Sequence, residues 1–173
     1  MTYQIDPKHS AARFKVRHMM IANVGGEFNT VSGTVDFDQA KPDQARVDAS
    51  IDANSLHLGD PQRDAHVKGA DFFDVAQFPT ITFKSSKVAA AGSGYKVTGD
   101  LTLHGVTKPV TLTVDAVSPE VTDPWNLQRR GLSATATFNR KDFGMAWNAP
   151  AGGGVMLSEN VEITLDIEMT RPA

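Results

Sequence analysis

The chain has 173 residues, 40% of them hydrophobic and 21% charged, which fits one globular domain with a sizeable core. No apolar run approaches the roughly 20 residues of a membrane-spanning helix, and a formal net charge of −3 gives no general attraction to nucleic acid or to an anionic surface. The absence of cysteine removes disulfides, thiolate metal sites and cysteine nucleophiles, while fitting either a reducing or an oxidising compartment.

The opening Met1 to Pro7 carries neither a basic leader nor the apolar stretch of a secretory signal. As written, the chain is expected to be cytoplasmic; removal of an export leader would place it in the periplasm. From there the dominant pattern has period two, the signature of strands with one buried and one wet face. Ala12, Phe14, Val16 and His18 alternate with Arg13, Lys15 and Arg17, so three cations face one side and a mostly apolar row faces a core. Val35 and Phe37 alternate with Thr34, Asp36 and Asp38, and Val47, Ala49 and Ile51 with Asp48, Ser50 and Asp52.

One segment reads as a helix, over 61–68: Asp60 caps it, Pro61 takes the first helical position and Gly69 closes it. Asp71-Phe72-Phe73-Asp74 and Phe78-Pro79 follow directly, placing three aromatics where they could cover a barrel opening as a lid or plug. Strand patterning resumes with Ile81 and Phe83. It continues past Gly92-Ser93-Gly94 with Tyr95, Val97, Gly99, Leu101 and Leu103. A short reversal at His104 to Pro109 leads to Val110, Leu112 and Val114. Leu132, Ala134, Ala136 and Phe138 form the next strand. After a glycine-rich loop at 149–154, read as mobile, the cleanest alternation closes the chain: Val161, Ile163, Leu165, Ile167 and Met169. There is no internal repeat, so residues 1–173 form a single domain.

About eight strands with one apolar face can pack as a sandwich or close into a barrel; closure alone removes exposed sheet edges, so the expected fold is all-β, an antiparallel barrel of about eight strands. A barrel of that size either fills with side chains or encloses one ligand. Inward small residues, Ala12, Ala49, Gly99, Ala134 and Ala136, are compatible with both outcomes. If the interior is open, its aliphatic and aromatic lining calls for a hydrocarbon chain, worth about 0.8 kcal/mol per buried methylene.

Several stretches resemble the YceI-like family of polyisoprenoid-binding proteins. They are Asp6-Pro7-Lys8-His9-Ser10 with Phe14 to His18, Gly33 to Asp38, Arg63-Asp64-Ala65-His66, Asp71 to Asp74, Phe78 to Phe83, Gly99 to Val110, and Asn139 to Met145. The resemblance implies a lipocalin-like eight-stranded barrel with an extended cavity for polyisoprenoids, quinone-like molecules or fatty-acid derivatives. It implies no enzymatic activity.

Catalytic and metal readings find little support. Gly-x-Ser-x-Gly, a phosphate-cradling loop and His-Glu-x-x-His are all absent, and the five histidines lack zinc-helix spacing. His104 reads as structural, and His66 as a solvated face or a head-group contact. Arg140-Lys141-Asp142 reads as a turn in which Arg140 pairs with Asp142. Trp125 and Trp147 read as loop anchors or rim aromatics.

The expected function is that of a carrier or storage protein for a long-chain amphiphile, with no catalytic cofactor, no nucleic-acid partner and a homodimer left open. The rival readings are an enzyme acting on an isoprenoid lipid and a stress-related interaction protein with a solid barrel. Strand phase selects Phe14, Val16, Phe37, Ile51 and Phe83, with Leu101, Leu103, Phe138 and Ile163, as tail contacts. His18, a polar ring on the inward row, reads either as satisfied by a neighbouring side chain or backbone carbonyl or as a head-group donor. Arg63 is a second candidate head-group donor, and Phe72, Phe73, Phe143 and Trp147 complete the candidate ligand contacts.

Overall fold

A computed structural model describes residues 1–173 and shows eight long strands joined almost entirely in sequence order. Three of them are bent into two segments: β1 (Thr2–Ile5 and Ala11–His18), β2 (Ala22–Phe28 and Val31–Asp36) and β3 (Arg46–Asp52 and Leu56–His57). The others are β4 (Thr80–Ala91), β5 (Gly94–Leu103), β6 (Val106–Val114), β7 (Leu127–Asn139) and β8 (Asn160–Pro172). Each pairs antiparallel with the next, and β8 returns to β1 through Glu162↔Lys15 to Asp166↔Ala11 and through Ile5↔Met169. The sheet is a closed barrel with one short helix, α1 (Pro61–Lys68).

The bend in β1 has a local cause. Pro7 has no N–H to give to a ladder, and across Asp6 to Ser10 the Ser10 hydroxyl stands in for backbone, donating to Glu168 C=O at 3.2 Å and accepting from Glu168 N–H at 3.1 Å. The first segment of β2 is a strand that alternation did not reveal, because Gly25 and Gly26 interrupt it. Tertiary contact demands them: a Cβ on Gly25 would lie 2.1 Å from the Phe14 carbonyl oxygen, and one on Gly26 would lie 3.0 Å from the Phe14 ring. Glycine there lets an inward phenylalanine pass.

Turn chemistry explains the hairpins. His104 and Gly105, both at positive φ (53° and 72°), form the two-residue loop between β5 and β6, as a type I′ turn requires. The expected reversal through Pro109 is thus shorter than proposed, with Pro109 inside β6 opposite Asp100. The glycine-rich segment is not an unstructured loop. Pro150–Ala151 and Gly154–Val155 pair around Gly152 and Gly153, both at positive φ, as a small hairpin. In α1, Asp60 caps as expected, accepting from the N–H groups of Gln62 and Arg63 at 2.9 Å.

The two ends of the barrel differ. At the lower end Tyr3, fully buried, donates to Glu120 and accepts from Arg130 Nε at 3.0 Å, while Arg171 holds Glu120 through two nitrogens at 3.0 and 2.7 Å. Phe37 packs on Tyr95, with ring centroids 5.6 Å apart, beneath the Arg130 guanidinium. This polar cluster over packed aromatics forms a floor. At the upper end the ladder opens. The β3–β4 pairing stops at Asp52↔Thr80, beyond which α1 and residues 69–79 fill the gap, and β6 meets β7 at only Ala134↔Val114 and Thr135↔Thr113. The upper barrel is consequently wider than the lower.

Candidate functional site: a two-chambered apolar cavity

The interior is not filled by its side chains. An upper chamber of about 530 Å³ lies between β1, β2, α1 and the start of β8, and a lower one of about 150 Å³ sits above the floor. They meet at a waist, since Ile51, Ile81, Leu101, Ile163 and Leu165 line both. The upper volume falls in the range of roughly 300–1,000 Å³ usual for ligand pockets. Alternation builds this directly, because one face of every strand points inward and carries the apolar set.

The structure brings most of the expected residues to this cavity. Phe14, Val16, His18, Arg63, Phe72, Phe73, Leu103, Phe138 and Trp147 line the upper chamber; Phe37 and Phe83 line the lower; Ile51, Leu101 and Ile163 lie at the waist. Phe143 is the exception. It follows Asn139, whose side chain accepts from the Lys141 N–H at 2.9 Å and caps a 3₁₀ turn over Arg140–Phe143. That turn buries the Phe143 ring behind Phe138, at a centroid distance of 5.1 Å, where it supports the wall without lining the cavity. Of the inward small residues, Ala12, Ala49 and Ala134 line the chambers, but Gly99 makes room for a neighbour: a Cβ there would come within 2.6 Å of the Phe83 ring.

The covering aromatics divide their work. Phe73 stacks edge-on against Phe14 of β1 and Phe28 of β2, at 5.6 and 5.2 Å. Phe72 and Trp147, 5.3 Å apart, close with His66 around the upper rim. Phe78 faces elsewhere, packing on His104 at 4.8 Å, while the His104 ring meets the Phe143 carbonyl at 3.0 Å in the structural role expected of it. His66 Nε2 lies 3.1 Å from Asp71. His18 is half-buried and its ring makes no hydrogen bond within the protein.

Arg140 corrects the sequence reading most. Instead of pairing with Asp142, its side chain turns inward to 3% exposure and donates to the carbonyls of Ser158 (2.9 Å), Met145 (2.7 Å) and Trp147 (2.8 Å). A turn of one 3₁₀ helix rotates neighbouring side chains onto different faces, which residue order alone does not reveal. Burial lowers the Arg140 pKa, opposed by the charge of Glu159. Leu58, Val67, Met145, Met156 and Leu157 also line the upper chamber. They sit in loops or on α1, where period two says nothing about direction.

One polar cluster outside the barrel has metal-ligating residues. Asp6, His9 and Glu168 place ligand atoms within 4.8 Å of one another, but Arg129 Nη1 already bridges Asp6 (2.8 Å) and Glu168, and Arg129 Nε reaches Asp123 at 2.6 Å. A guanidinium thus supplies the positive charge that a cation would bring.

A closed eight-stranded antiparallel barrel around an apolar cavity sealed at one end defines a lipocalin-like barrel. The chain belongs to the YceI-like family: residues 3–169 match the model of the YceI-like domain. A UPF0312 protein of Pseudomonas aeruginosa is 36% identical over 98% of this chain and 86% of its own length, and one of Yersinia pestis is 37% identical over 96% and 84%. Among solved structures, Burkholderia cenocepacia BcnA superposes with a TM-score of 0.79 at 28% identity, covering 95% of this chain and 98% of that one. A polyisoprenoid-binding domain from Saccharophagus degradans gives a TM-score of 0.69 over 98% of both chains, and at 18% identity that likeness is one of fold.

Proposed function

We propose that this protein is a carrier or storage protein for a long-chain amphiphile, held with its tail through the waist and into the lower chamber. The observation that carries this reading is the continuous apolar lining from rim to floor, with 21 of 27 residues hydrophobic above and 23 of 24 below. Such a lumen left empty forfeits dispersion contacts along its walls, whereas a hydrocarbon chain in it gains about 0.8 kcal/mol for each methylene buried. A solidly packed barrel offers no such space. The Saccharophagus degradans domain, with the same fold and described as polyisoprenoid-binding, is consistent with a lipid as occupant.

Native mass spectrometry of protein purified without detergent tests this. A co-purifying adduct of lipid mass, lost in a Leu101→Glu variant with unchanged far-UV circular dichroism, is the expected result, because a carboxylate at the waist imposes its desolvation cost on any tail that passes. An empty protein that takes up no added amphiphile would sink the carrier reading.

A further inference from the structure

Arg140 is a buried cation with no carboxylate partner. The three partly buried arginines, Arg129, Arg130 and Arg171, each form an ion pair. Arg140 forms none: its donors go to neutral carbonyls, and Nη2 is the only buried side-chain nitrogen or oxygen in the protein without a hydrogen-bond partner. A buried charge is ordinarily paired, and a buried donor left unsatisfied carries its full desolvation penalty. This side chain forms part of the wall of the upper chamber, with Nη2 itself covered, so a head group engages that nitrogen only where the wall gives way locally.

The chamber as a whole has the same sign. Its lining includes Arg13, Arg63, Arg140, His18 and His66 and not one aspartate or glutamate, whereas the lower chamber is lined by no acidic or basic side chain apart from the Tyr95 phenol. Arg13 spends its charge on Glu27 and Asp166, and His66 faces Asp71, which leaves Arg63 at the rim and Arg140 within the wall as cations without an ion-pair partner, Arg140 feeling only the more distant charge of Glu159. The cavity is polarised, apolar below and cationic above.

We propose that Arg140 is an internal anchor for an oxyanion, so that the ligand is an amphiphile with a carboxylate or phosphate head drawn inside the barrel against Nη2, its chain running down through the waist. This rests on the carrier reading. The ligand supplies the counter-charge that the fold omits, and a charge-assisted hydrogen bond in a site of low dielectric holds the head.

The test uses delipidated full-length protein and three probes with matched chains: palmitate, hexadecyl phosphate and methyl palmitate, titrated by isothermal calorimetry. At least one anion should bind about tenfold or more tightly than the ester; which one does so identifies the head as carboxylate or phosphate. Arg140→Met should erase that preference while leaving ester affinity within about threefold, since the tail contacts are intact. Equal affinity for acids and ester, or a preference that survives in Arg140→Met, overturns the inference and leaves the carrier reading standing. If no probe binds, the carrier reading falls and the anchor falls with it. Because Arg140 also ties three carbonyls, the variant could fail to fold. Carbon-13 NMR of carboxyl-labelled palmitate in the wild-type protein then decides: the carboxyl should titrate below the free acid, and titration like the free acid overturns the anchor.

Discussion

Asp6 shows how a single residue couples the barrel seam to pH. Burial by itself would raise its carboxyl pKa, but hydrogen bonds from His9, Arg129 and the Lys8 N–H outweigh it and hold the group at about 2. A carboxylate lowered in this way stabilises the fold at all pH values above its unfolded-state pKa of about 3.9, and that contribution is lost as pH falls through the folded value. The window is therefore about pH 4 down to about 2. Asp6→Asn is expected to lower the urea midpoint near neutral pH, and to lose less stability than wild type across that window. Parallel acid limbs for the two proteins would show that the seam does not titrate through Asp6. Nothing in the Asp6-Pro7-Lys8-His9-Ser10 sequence reveals this coupling, since Arg129 lies 123 residues away.

At the scale of elements, the hairpin joining β1 to β2 is built against local preference. Ile21 N–H donates to His18 C=O at 3.1 Å, and the central residues, Met19 and Met20, both sit at positive φ, 51° and 61°. A side chain in the left-handed region costs about 1–2 kcal/mol per residue, and Asn-Gly is the pair that such a turn favours. Replacing Met19-Met20 with Asn-Gly should therefore raise stability by about 1 kcal/mol, a gain of roughly 2–4 °C in Tm for a domain this size. Differential scanning calorimetry checks it, and an unchanged or lower Tm would mean that contacts of the two methionines outweigh the strain. The helix α1 is the opposite case. Asp60-Pro61 and the residues after it agree with the structure at every position, because capping is a local interaction and a local signal suffices to read it.

For the whole molecule, polarity along the barrel axis sets how affinity should depend on the ligand. With an apolar lower chamber and waist, binding of a series of carboxylates with lengthening tails should tighten by up to about fourfold per methylene. It should then level off once the chain reaches the Phe37 and Tyr95 floor; tryptophan quenching at Trp147 can follow it. Affinity that ignores tail length would place the binding energy at the head alone. The alternation of Val161, Ile163, Leu165, Ile167 and Met169, and its counterparts on seven other strands, was by itself enough to read an all-β chain of about eight strands and most of the residues that face inward; closure of the sheet and an open interior belong to the tertiary structure. Period two fixes which face of a strand is buried whatever the strand pairs with. Only the tertiary structure decided the rest: that Gly99 serves Phe83 and not the lumen, that Phe143 turns away, and that Arg140 enters the wall without a counter-ion. Those outcomes depend on how turns and strand ends direct side chains that lie outside the alternating pattern, and on neighbours far away in the sequence, where local spacing carries no directional information.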